Sequence, residues 1–145
     1  MTCVESVRLS AGIRVGDRFS KAAAFTSDSI REFATLVGDT NPLHHDDNAA
    51  AEFGGVIASG IHTFSAVFAA VLDFLPKENR NIGLEASVKM LRPVRAGDAV
   101  RIEWEVDDIL DTPKLRGWII TMNGRLVRQD DVVAMTAISK SLIYW

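Results

Sequence analysis

The sequence predicts an α+β fold in which an antiparallel β-sheet wraps around one central apolar helix. Three observations point there. From residue 60 to 75 nearly every position is apolar, with Ile61, Phe64, Val67, Phe68, Val71, Leu72, Phe74 and Leu75 spread over all faces, so a helix here needs cover on every side yet is too short to span a membrane. Downstream, Val100, Ile102, Trp104 and Val106 alternate with Arg101, Glu103, Glu105 and Asp107, which is the period of a strand with one wet face. Beyond them Asn123-Gly124 carries the strongest short hairpin signal in the chain, which predicts one strand over 114–122 and another from Leu126 onward.

A chain of 145 residues, 48% hydrophobic and 24% charged, suits one domain over 1–145 with a real core. The net charge of -3 and a pI near 5.6 argue against a nucleic-acid binder, because phosphate neutralisation needs a concentrated basic face and no Lys/Arg cluster occurs. An anionic substrate would have to find a local basic patch. The single Cys3 excludes an internal disulfide, and its place in the N-terminal segment points away from catalysis. No apolar signal-like run opens the chain and none reaches the roughly 18 residues of a membrane span, so a cytoplasmic location is expected.

Residues 1–14 carry no period and are expected to lie over the surface or to add a short edge strand. Residues 15–19 read as a turn and 20–25 as a strand. Thr26-Ser27-Asp28 supplies a helix N-cap and an acid in the first turn, where the macrodipole favours it. Ile30, Phe33, Ala34 and Val37 then mark one buried face, with Arg31, Glu32 and Thr35 elsewhere, until Gly38 stops the helix in a left-handed conformation. His45 and Asp46 read as solvated loop residues, and Asp46, Asp47 or Asn48 could cap a short helical stretch over 49–52. Residues 76–81 form a polar connection and a rim for any site nearby. A strand over 84–91 is halted by Pro93, Ala96-Gly97-Asp98 makes a turn, and 132–144 finishes the sheet.

The chemistry concentrates in Gly38-Asp39-Thr40-Asn41-Pro42-Leu43-His44 and in the run from Phe53 to Gly60. An acid and an imidazole are separated by an Asn-Pro step that biases Asn41 to extended backbone and fixes φ of Pro42, so the pair sits on a stiff segment. Taken singly, Asp39 would be an Asx-type turn residue and His44 a packed core histidine. Together with a helix start at Ser59-Gly60, where small residues admit a carbonyl to free N–H groups, they provide a base, an acid and an oxyanion site. His62, inside the apolar helix, reads as a satisfied core histidine and stays outside the site.

These runs resemble the MaoC-like hydratase family, which includes the (R)-specific enoyl-CoA hydratases. The likeness rests on the family's G-D-x-N-P-L-H core, on the F-G-G-x-I-A-x-G that follows, and more weakly on Leu91-Arg92-Pro93-Val94-Arg95-Ala96-Gly97-Asp98. It implies the hot-dog fold and, for residues 39 and 44, a catalytic pair that holds one water for reversible syn addition to a 2-enoyl thioester. The product implied is the (R)-3-hydroxyacyl thioester. We assign Asp39 to water activation, His44 to water orientation and proton transfer, Asn41 to holding the loop or bonding the acid or water, and Ser59 with Gly60 to the thioester carbonyl.

The substrate implied is an acyl-CoA or acyl carrier protein thioester, with no cofactor beyond the coenzyme A it carries. Lys89, Arg92 and Arg95 are candidates for its phosphates. No ligand spacing suggests a metal. An exposed sheet edge and the resemblance together lead us to expect a homodimer or a dimer of dimers. Two other readings share the fold: an acyl-CoA thioesterase using a carboxylate-activated water, and a non-catalytic acyl-thioester-binding module or partner half of a pseudodimer.

Overall fold

The computed structural model describes residues 12–145, and the expectations placed on 1–11, Cys3 among them, lie outside the described residues. Ile13, expected on the surface, is instead buried in the core. Strand β1 (Arg18–Ala24) leads to helix α1 (Ser27–Leu36), two short 3-10 turns (Pro42–His44 and Ala51–Phe53) and helix α2 (Gly60–Phe74). Strands β2 (Asn81–Met90), β3 (Ala99–Thr112), β4 (Gly117–Arg128) and β5 (Val133–Tyr144) follow. All pairings are antiparallel in a single sheet of order β1-β3-β4-β5-β2, with α2 packed against it: the hot-dog fold. No helix among the described residues is long and apolar enough to cross a membrane.

The period-two pattern of β3 does what its alternation requires. Val100, Ile102, Trp104 and Val106 are buried, and the register carries the row across the sheet: Leu126, Gly124 and Met122 of β4 oppose Ile102, Trp104 and Val106, while Met135, Ala137 and Ser139 of β5 continue it. Against this row lies α2, tied down by the Trp104 indole N–H, which donates to the Val67 carbonyl at 3.0 Å and so is itself paired although buried. Arg18 and Phe19 belong to β1, because Phe19 pairs with Trp104 and stacks on Phe74 of α2.

Three further expectations are corrected. The hairpin is not at Asn123-Gly124: β4 runs through both residues, and the chain reverses instead at residues 129–132. Gly124 is there for space, since a Cβ would stand 2.5 Å from Cε3 of Trp104. Residues 113–116 form a 3-10 turn and its cap, so β4 starts at Gly117. Second, α2 is not hidden on every side, since Ile61 and Leu72 are each 57% exposed, because a single sheet with α1 reaches only part of its circumference. Third, 49–52 is no helix but a run of turns ending in the Ala51–Phe53 3-10 element, whose N-cap Ala50 has no side-chain cap; Asp46 accepts the Asn48 N–H one turn earlier.

Candidate active site

The site begins where α1 ends. Thr26 and Ser29 form a reciprocal capping box at its start. At its end Gly38 takes φ +74, its N–H donates to Thr35, and the Asp39 N–H donates to Ala34 at 2.8 Å, the paired bonds of a Schellman motif. Asp39 is then held at two more atoms. Its Oδ1 accepts the Asn41 N–H at 2.9 Å, an Asx turn, and its carbonyl accepts Nε2–H of His45 at 2.6 Å. The remaining oxygen, Oδ2, lies 3.5 Å from Nε2 of His44.

His44 is buried, 7% exposed, at the end of the Pro42–His44 turn. Its Nδ1 is 2.7 Å from the Ile57 carbonyl, which can only accept, so Nδ1 carries a proton and donates it there, and Nε2 is the ring atom left to face Asp39. Nε2 of His44 and Oδ2 of Asp39 therefore face each other across 3.5 Å. Asn41 bonds Asp39 only through its backbone; its side chain accepts the Leu43 N–H at 3.1 Å and caps the 3-10 turn.

Backbone bonds knit the three motif-bearing stretches into one place. The Ile57 N–H donates to Leu43 at 3.0 Å, the Ala58 N–H to Val94 at 2.8 Å and the Ala96 N–H to Val56 at 3.0 Å. The last two tie the Phe53-to-Gly60 run to the Leu91-to-Asp98 run, so residues far apart in sequence share a rigid scaffold. At its end Ser59 is the N-cap of α2 and is spent on that task, its Oγ accepting the His62 N–H at 3.2 Å. The Gly60 N–H finds no acceptor among the described residues and stays available. Gly60 must lack a Cβ, since one there would collide with Sδ of Met90.

Gly60, Thr63, Met90 and Arg92 line a groove of about 260 Å³; Asp39 and His44 do not line it. Among the three bases only Arg92 borders this groove. Lys89 lies on the other face of the sheet, in a hollow of about 920 Å³ shared with Glu103 and Arg125. Arg95 holds a turn, its N–H donating to Oδ2 of buried Asp98 at 2.8 Å and its guanidinium 3.7 Å from the same oxygen. Among the described residues no three His, Cys, Asp or Glu side chains converge as metal ligands would.

Two histidines depart from their sequence reading. His45 is half-buried and bonded to the Asp39 carbonyl, not solvated, and nothing local in the sequence signals a ring that folds back over six positions. His62 is not a satisfied core residue: its Nδ1 is buried without a partner among the described residues, its ring stacks on Phe33 at 4.4 Å and meets Phe25 edge-on. Burial, and next the nearby His44, hold its pKa below the usual imidazole value.

The profile of the MaoC like domain matches residues 12–117. The 3-hydroxybutyryl-CoA dehydratase of Methylorubrum extorquens is 31% identical over 87 residues, 59% of this chain and 55% of that protein. A UPF0336 protein of Streptomyces coelicolor is 36% identical over 92 residues, 57% of this chain and 60% of that one. The chain thus spans little more than half the length of these two relatives. Among solved structures, R-hydratase PhaJ1 of Pseudomonas aeruginosa in its unliganded form superposes with a TM-score of 0.81 at 26% identity, covering 92% of this chain and 84% of that one.

Proposed function

The chain belongs to the MaoC-like domain family, and from that premise we propose that it is a hydro-lyase for the reversible syn hydration of a 2-enoyl thioester to an (R)-3-hydroxyacyl thioester. The observation that carries this reading is the 3.5 Å approach of Asp39 Oδ2 to a His44 Nε2 whose ring is oriented by the Ile57 carbonyl. One water bonded to both groups is held and polarised at once.

In the hydration direction the water oxygen bonds C3 as its proton leaves to the pair. The C2=C3 electrons move toward the thioester carbonyl, and the enolate oxygen is met by the Gly60 N–H at the positive end of α2. C2 then takes the proton back from the same pair, on the same side, so the addition is syn and no proton is gained or lost. Asp39 serves as the water-activating base and His44 orients the water and relays the proton. The steps need no cofactor beyond the coenzyme A or acyl carrier protein that bears the acyl group. Both polar groups are present and separately anchored, which favours turnover over a binding module.

The test is an assay with crotonyl-CoA that follows the enoyl chromophore and free thiol together. Loss of the chromophore without thiol supports the hydratase; thiol release in step with substrate loss would replace it with a thioesterase.

A further inference from the structure

We infer that His45 is a positioning residue for the Asp39 and His44 pair, and the inference rests on the hydratase reading of that pair. Asp39 leaves α1 after a glycine and precedes Thr40, for which no side-chain hydrogen bond exists among the described residues; its carbonyl is therefore the free end of the segment that aims the carboxylate. The His45 ring closes that end, with Nε2–H donating to the Asp39 carbonyl at 2.6 Å.

A ring can do this only if its own backbone is fixed, and it is. The His45 N–H donates to Pro42 at 3.1 Å, and its carbonyl accepts Nε–H of Arg31 from α1 at 3.0 Å. The Arg31 guanidinium reaches Oδ2 of Asp47 at 3.1 Å, and Oδ1 of Asp47 accepts the Val56 N–H at 3.0 Å. The clamp therefore joins α1, the helix that precedes Asp39, to the stretch whose Ile57 carbonyl orients His44. With N–H, carbonyl and Oδ1 of Asp39 all bonded, only Oδ2 remains, and it points at His44. Without the ring, rotation about the Thr40 peptide would cost one fewer bond and Oδ2 would spread over several positions.

The experiment uses the full chain with His45→Leu, which deletes the donor, and His45→Gln, whose amide N–H can restore it. In the crotonyl-CoA assay His45→Leu is expected to lower kcat at least tenfold with KM within about twofold, and His45→Gln to recover most of the loss. Amide hydrogen exchange gives a readout that does not depend on turnover. The Asn41 N–H, bonded to Asp39 Oδ1, should exchange about tenfold faster in the Leu variant and recover in the Gln variant, with the Ile30 N–H inside α1 unchanged. Unchanged Asn41 exchange or unchanged kcat in His45→Leu would overturn the inference, as would a Gln variant no better than Leu. A wild-type protein that leaves crotonyl-CoA intact while Asn41 exchange still responds would remove the hydratase reading and keep the clamp.

Discussion

Gly124 lies directly across the sheet from Trp104, and the indole fills the volume that a side chain at 124 would occupy. The contact explains why a dipeptide that reads as a turn runs straight through the centre of β4. Trp104 cannot step aside, because it is buried and its N–H is committed to Val67 of α2. Gly124→Ala should therefore destabilise the fold by about 1–3 kcal/mol through overpacking, read as a fall in Tm of several degrees. A residue in a hairpin turn would tolerate Asn at this position; an unchanged Tm for Gly124→Asn would contradict the packing account.

His62 makes stability depend on pH with a definite sign. Its pKa is lowered in the folded state, first by burial and then by His44, so the unfolded chain binds the proton more readily. The stabilisation is present above the usual value of 6.5 and is lost as pH falls from there toward the lowered value. His62→Phe keeps the stack on Phe33 and removes both the proton and the orphaned Nδ1. Denaturation midpoints taken between pH 5 and 7 should fall more steeply on acidification for wild type than for the variant; parallel curves would contradict the assignment.

Assembly should follow from β2. It is a sheet edge, exposed over nearly its whole length, and carries Ile82, Leu84 and Met90 uncovered. Light scattering at micromolar concentration is expected to give at least twice the chain mass of 15.9 kDa, and Ile82→Lys with Leu84→Lys to reduce it. A fully active wild-type monomer would refute the expectation.

Carrier binding separates the three bases named from sequence. Arg92 borders the groove that holds Gly60, whereas Lys89 faces the other side of the sheet and Arg95 is engaged with Asp98. Arg92→Ala should raise KM for crotonyl-CoA severalfold with little change in kcat, and Lys89→Ala should leave both near wild type. Equal effects at the two positions would point to a different path for the carrier.

Much of the fold was legible because its signals are local. The Thr26 cap, the Gly38 stop, the alternation along β3 and the stiff Asn41-Pro42 step each depend on near neighbours in the chain, and each is where the pattern puts it. What was not legible depends on distant contacts. Gly124 is explained by an indole from another strand, His45 by a ring that turns back on Asp39, and the exposure of Ile61 and Leu72 by how far one sheet can reach around a helix. Apolar composition says that a helix wants cover; it does not say whether its own chain provides it.

The most direct test is the hydration rate of crotonyl-CoA by Asp39→Asn and His44→Ala, singly and together, in protein shown to be folded and assembled. Asp39→Asn keeps the Asx turn and the main-chain bonds but removes the base, and His44→Ala removes the group that orients and relays. Each should lower kcat on the order of a hundredfold or more, and the double variant should lose little beyond either single one, because both groups act on one water in one step. A folded Asp39→Asn protein that hydrates crotonyl-CoA at near the wild-type rate would contradict the account and return the segment from Gly38 to His44 to a rigid turn.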